Sequence, residues 1–256
     1  MYDLPELRQA TNAWWASLAA ALRQAGFGDV PRDLDRSEPL DTVWRDPDLL
    51  LSQCCGRDYV THLRGVVDPV AIPVYAIPGC RPGTYRSVLV KRADDAREDL
   101  LAFEDARAAV NYPGSHSGRV ALGHALARVG AKDPFFAEGV LTGAHRRSIT
   151  AVREGAADLA AIDLVTWTLL AEVAPRELAG LTVLGTSEEA PALPFITRWG
   201  GPVAGLQDVL GTVAVPPELR LIGFLPAGPD SYRRSEEMAA EALPILCAGF
   251  RPWSGG

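Results

Sequence analysis

Residues 142–167 constrain the fold of this chain more than any other stretch. They run from Thr142-Gly-Ala-His145 through a short amphipathic segment to about Glu154, a Gly155 turn, an apolar run over 158–162, and Asp163 ahead of a second apolar segment. Apolar spacing of three and four predicts a helix starting near His145, and the compact apolar run after the glycine predicts a buried strand. Asp163 has the residue type that opens a helix. A helix running away from one end and a strand running back return the chain to its start, so His145 and Asp163 share one end of neighbouring elements. In open α/β sheets that end is where ligands bind.

The rest of the chain extends this alternation. Residues 4–25 predict an amphipathic helix stopped by Gly26, with Leu18 and Leu22 on its apolar side. Residues 48–53 read as a buried parallel strand delivering Ser52 and Gln53 to its carboxyl end. Strands are expected over 70–77, 85–91, 107–110, 181–186 and 219–224, and helices over 119–129, 164–173, 203–210 and 231–247. Two extended crossovers, near 86 and 187, divide an α/β chain of 256 residues into two lobes. The expected division is 1–86 with 188–256 as the first lobe, and 87–187 as the second.

Composition excludes several classes. A net charge of -7 argues against nucleic acid or an anionic membrane as partner, since both need a dense basic surface. The four cysteines, Cys54, Cys55, Cys80 and Cys247, form no CxxC pair and have no histidine at metal-ligand spacing, so reduced thiols, no metal and no cofactor are expected. The chain as written starts without a secretory leader and has no apolar run of about 18 residues, which reads as a cytoplasmic chain without membrane insertion. If the start is truncated, the location becomes periplasmic or cell-envelope.

The clearest candidate site is Gly114-Ser115-His116-Ser117-Gly118, a turn between an expected strand and an expected helix. Consecutive amides and hydroxyls at the positive end of a helix suit a phosphate-like or carboxylate group. Ser115 or Ser117 serving as a helix cap explains the same residues equally well. His116 stands where a nucleophile elbow needs serine, and the Gly26-Phe-Gly28 pair lacks the third glycine of a dinucleotide fingerprint. At a helix N-terminus His145 would be a neutral imidazole able to donate one hydrogen bond. Asp163 reads as a ligand contact or as a helix cap, and Tyr85 as a hydroxyl reaching a cleft or as packing at a hinge.

Tyr85-Arg-Ser-Val-Leu-Val, Ser115-His-Ser-Gly118, Gly143-Ala-His145, the stretch from Gly155 to Asp163, and Pro191-Ala-Leu-Pro194 together resemble the phosphate/phosphite/phosphonate-binding proteins of ABC transporters. The likeness extends over nearly the whole chain. It implies a type II periplasmic-binding-protein fold: two α/β lobes joined by two crossover strands, with the ligand cleft between them. It implies Tyr85 as hinge tyrosine, Ser115, His116, Ser117 and Gly118 as the anion loop, His145 as ligand histidine, Asp163 near an acidic ligand position, and Gln53 where phosphonate binders have a tyrosine. His116 replaces a small hydroxyl residue of that loop. Leu193 stands where aminophosphonate binders carry an acid, which argues against an aminophosphonate. The implied partners are a small anionic ligand and an ABC permease, the implied state is a monomer, and no catalysis is expected. The rival expectation is a cytoplasmic enzyme on the same fold, with His145 or His116 as general base and Asp163 orienting it.

Overall fold

A computed structural model describes residues 2–244 and 250–255. Its strands are β1 Ser52–Gln53, β2 Val67–Tyr75, β3 Thr84–Tyr85, β4 Ser87–Arg92, β5 Arg107–Val110, β6 Glu138–Leu141, β7 Leu159–Asp163, β8 Leu181–Thr186, β9 Ala190–Pro191, β10 Phe195–Arg198, β11 Leu221–Pro226 and β12 Phe250–Pro252. The α-helices are α1 Arg8–Gln24, α2 Leu40–Trp44, α3 Gly56–Asp58, α4 Ala121–Arg128, α5 His145–Arg153, α6 Leu164–Val173, α7 Val203–Leu210 and α8 Arg233–Glu241. The chain divides into two compact units, Met1–Thr84 with Pro191–Arg233, and Tyr85–Ala190 with Arg234–Gly256.

The first unit is a four-stranded sheet in the order β1-β10-β2-β11. Trp15, Leu18, Ala19 and Leu22 lie along one face of α1. They pack on Val70 and Ala71 of β2, Phe195 of β10, and Leu206 and Val209 of α7. Every strand pair here is antiparallel, which corrects the expected parallel strand over 48–53. Only Ser52 and Gln53 join the sheet, opposite Ile196 and Phe195. The preceding leucines are used instead for packing beside α1 and against Trp44.

The second unit is a six-stranded sheet in the order β12-β6-β5-β7-β4-β8. Strands β5, β6 and β7 are mutually parallel, and β4 runs against β7 with Ser87 opposite Asp163. The core holds Leu89, Phe103, Val110, Leu122, Leu126, Phe135, Phe136 and Leu159. Strand β6 was not expected from sequence, because Glu138-Gly-Val-Leu is short and begins with a charge and a glycine.

The C-terminal segment corrects the expected division of the chain. Residues from Arg234 onward belong to the second unit, because β12 pairs in parallel with β6 and α8 carries ion pairs to that unit. Arg234 is 2.6 Å from a Glu188 carboxylate oxygen, and Glu241 lies 3.0 Å from Nε2 of the fully buried His124. The crossovers also shift slightly, to Thr84–Tyr85 and Ala190–Pro191. The end of the expected helix over 231–247 and Cys247 lie outside the described residues. Cys54 is a buried free thiol, and burial pushes its pKa well up.

Candidate functional site

Three parallel strands of the second unit end at the same edge, and each hands the chain to a different part of one cluster. After Val110, β5 gives the turn into the helix that starts at His116. After Leu141, β6 gives the loop to His145, and β7 ends on Asp163. Strand β4 enters the sheet at this edge, with Tyr85 just before it and Ser87 at its start.

The turn is built from its own polar groups. Ser115 caps the helix, its Oγ accepting from Gly118 N at 2.9 Å, and its carbonyl accepts from Val120 N five residues on. The helix therefore opens with a wide π-type turn over His116–Val120 before becoming α-helical. Such turns recur at functional sites. A β-carbon at Gly118 would lie 2.0 Å from Asn111 Oδ1 and 3.2 Å from Ser115 Oγ, so this position requires glycine. His116, Ser117 and Gly118 are buried, and the His116 ring lies 6.2 Å from that of Tyr85, itself only 2% exposed.

Ser117 joins this turn to α5. Its Oγ is 2.7 Å from Nε2 of His145, so the starts of two helices meet at one hydroxyl–imidazole contact. His145 is partly accessible, and removal of the ring from water lowers its pKa to about 4, leaving a neutral imidazole at ordinary pH. Residues 142–148 are held by Thr142 Oγ1, which is 2.6 Å from Ser148 Oγ, and by Gly143 N donating to Asn111 O at 2.7 Å. Gly143 has φ +86, the left-handed region open to glycine at low cost.

Two further serines set the height of the turn. Ser87 Oγ donates to Ser117 O at 2.9 Å, and Ser187 Oγ accepts from Ser87 N at 2.9 Å. Sequence reasoning passed over Ser87, Ser187, Asn111 and Thr142 as site residues. Ser87 lies within a motif that was read, but a single hydroxyl at a strand end carries no spacing signal.

Asp163, 2% exposed, caps α6: its Oδ1 accepts from Val165 N at 2.8 Å and Thr166 N at 3.1 Å. Of the two readings open for Asp163, the structure shows the cap. Gln53 belongs to the first unit, where its Nε2 donates to Leu193 O at 3.0 Å and lies 3.4 Å from the Tyr75 hydroxyl. It is not part of the cluster assembled within the second unit.

Charge is distributed unevenly over the second unit. At the opposite edge of the sheet, burial raises the Asp158 carboxyl, but hydrogen bonds from Arg107 and Arg92 outweigh it and hold the pKa below the usual value. The cluster of Ser87, Ser115, Ser117, Gly118, His145 and Ser187 contains no lysine or arginine. Helix starts and hydrogen-bond donors of this kind suit an anion without a basic side chain. Among the described residues no His/Cys/Asp/Glu group could hold a metal ion, and no helix is long and apolar enough to cross a membrane.

The architecture is shared with solved structures. A binding protein component of an ABC phosphonate transporter from Pseudomonas aeruginosa matches with TM-score 0.70 at 19% identity, over 90% of this chain and 81% of that one. PhnD1 from Prochlorococcus marinus in complex with methylphosphonate matches with TM-score 0.65 at 15% identity, over 91% of each chain. XAC2383 from Xanthomonas citri bound to ATP matches with TM-score 0.64 at 19% identity, over 89% of this chain and 90% of that one. No curated protein matches in sequence. These likenesses define the class: a type II periplasmic-binding-protein fold. The family model described as "ABC transporter, phosphonate, periplasmic substrate-binding protein" matches residues 55–210, more than half of the chain, and the protein belongs to that family. It is accordingly a solute-binding protein of the kind that serves ABC transporters.

Proposed function

We propose that this protein recognises the phosphonate or phosphate group of a small molecule, and that the turn at Ser115–Gly118, with His145 and Tyr85, supplies the donors. One observation carries the reading: Ser117 Oγ lies 2.7 Å from His145 Nε2, which brings two helix starts together without a basic side chain. Hydroxyls, amides and one imidazole at such a junction hold a tetrahedral oxyanion by hydrogen bonds rather than by ion pairs. Two of the structural relatives carry ligands with such a group, methylphosphonate in one and ATP in the other. The partner that this role implies is an ABC permease, and the location that goes with it is the periplasm or cell envelope, which fractionation of the native host tests.

The reading is of binding without chemistry. Calorimetric titration with methylphosphonate, phosphate and phosphite is expected to show one saturable site, with the ligand recovered unchanged from the protein by mass spectrometry. A Ser117→Ala variant that folds but binds as tightly as the unaltered protein would remove this site from consideration.

A further inference from the structure

We propose that the site takes up its anion together with one proton, so that His145, neutral in the free protein, becomes an imidazolium when a doubly charged phosphonate or phosphate is hydrogen-bonded to it. The proposal rests on the functional reading above and adds the protonation state of the complex. The step is a simple one: a proton from solution adds to a ring nitrogen, and no bond between heavy atoms forms or breaks.

A bound dianion needs a neutralising charge. No lysine or arginine belongs to the hydrogen-bonded cluster; Arg86, between Tyr85 and Ser87, is paired with Glu189, and the cations on elements packed against α5, apart from the exposed Arg176, bond to groups outside the cluster. On α5 itself, Arg146 is paired with Glu177, Arg147 donates to the carbonyls of Trp253 and Gly255, and Arg153 donates to the Glu177 carbonyl. From β4, Arg92 reaches the far end of α5, bonding Val152 O, Ala157 O and Asp158, while Lys91 donates to Asp95 O at 2.6 Å. Arg107 of β5 is bound to Asp158 as well, and Arg119 of the anion-turn helix donates to Pro113 O at 3.0 Å. The acid at this edge, Asp163, accepts from the amides of Val165 and Thr166; the turn itself carries the titratable Tyr112 and His116, and Tyr85 lies beside His116. Helix starts supply only about half a charge each. A dianion is left undercompensated.

His145 can supply the missing charge. Its Nε2 is paired with Ser117 Oγ, which both donates and accepts, while its Nδ1 has no hydrogen-bond partner among the described residues. When Ser117 is the acceptor, protonation of the ring gives up no existing bond. Removal from water keeps the ring neutral with a pKa of about 4 in the free protein. A neighbouring negative charge acts in the opposite direction, favouring the charged imidazole by about 1–3 pH units for each unit charge within hydrogen-bonding range. A dianion brings two such charges.

The protein labelled with ¹⁵N-histidine is saturated with methylphosphonate at pH 8, where that ligand is a dianion, and the ring nitrogens of its four histidines are read by NMR. One histidine is expected to move to imidazolium shifts in the complex, and that signal is expected to be missing in His145→Gln. Titration calorimetry in buffers of different ionisation enthalpy is expected to show uptake approaching one proton per ligand at pH 8.5, and close to none at pH 6, where the ligand already carries the proton. Binding with every histidine neutral and no uptake at pH 8.5 overturns the proposal and leaves the binding function standing. Failure to bind methylphosphonate or phosphate at either pH overturns the functional reading itself, and the proposal with it.

Discussion

Gly118→Ala tests the packing that shapes the anion turn. The added β-carbon would lie 2.0 Å from Asn111 Oδ1 and 3.0 Å from Asn111 Cγ. Rotating the amide relieves the first contact but not the second, because Cγ moves only with χ1 or the backbone. The Asn111 backbone is anchored, its carbonyl accepting from Gly143 N at 2.7 Å. Forcing a methyl group into such a site costs about 1–3 kcal/mol. Replacing glycine by alanine inside a helix returns about 0.5–1 kcal/mol. The net expectation is a loss centred on about 1 kcal/mol and at most about 2.5 kcal/mol, or about 2–4 °C in Tm for the central value at about 2–4 °C per kcal/mol for a chain of this length. Affinity should suffer more than stability, since the same displacement moves Ser115 and Ser117. A misplaced hydrogen bond to a charged ligand costs about 1.5–3 kcal/mol, so methylphosphonate binding should weaken by about tenfold or more. Adding Asn111→Ala removes the obstructing atoms, and the double variant should recover part of both losses, with a coupling of about 1 kcal/mol or more. Scanning calorimetry and titration calorimetry measure the two effects. A Gly118→Ala protein with a raised Tm and unchanged Kd would refute the claim that Asn111 dictates glycine here.

Ser117→Ala should weaken methylphosphonate binding by about 10- to 150-fold in titration calorimetry, the loss of about 1.5–3 kcal/mol expected for a donor to a charged group. Asp163→Ala removes the two amide bonds at the start of α6 and should destabilise the protein by about 0.5–2 kcal/mol in denaturant unfolding, whereas Asp163→Ser, which keeps a capping oxygen, should recover most of it. Hydrogen bonding from Arg97 holds the Asp95 carboxyl at about 2, below the ordinary aspartate value of about 3.8, so the stability it contributes is present above about pH 3.8 and lost as pH falls towards 2. The Tm advantage of the unaltered protein over Arg97→Ala should accordingly shrink between pH 5 and pH 2; an advantage that stays constant over that range would contradict the assignment.

Much of the fold was legible because it rests on local patterns. The helix-to-strand alternation over 142–167 is realised as α5, β7 and α6, and residues 107–110, 181–186 and 203–210 form the elements their sequence indicates. These segments are bounded by glycine or polar turns and have an unambiguous apolar period, so tertiary context only had to confirm them. The run over 48–53 lacked that clarity. Its leucines suit a buried strand or irregular packing, and which they adopt depends on Phe195 and Ile196, some 140 residues later.

The sequence by itself determined that His145 and Asp163 lie at one end of adjacent elements, because the period of each element and the glycine between them leave little other choice. It also identified Ser115–Gly118 as a helix start with donors. Only the tertiary structure decided that these segments share an edge, since the β5-β7 and β5-β6 pairings that align them involve residues far apart in sequence. It decided that Ser117 meets His145, that Ser87 and Ser187 hold the turn in place, that Asp163 turns to α6, and that the C-terminal strand joins the second unit through β6. The physical reason is the same in each case: hydrogen-bond partners are chosen by three-dimensional proximity within about 3 Å, and a polar side chain in a sequence does not reveal which distant partner will satisfy it.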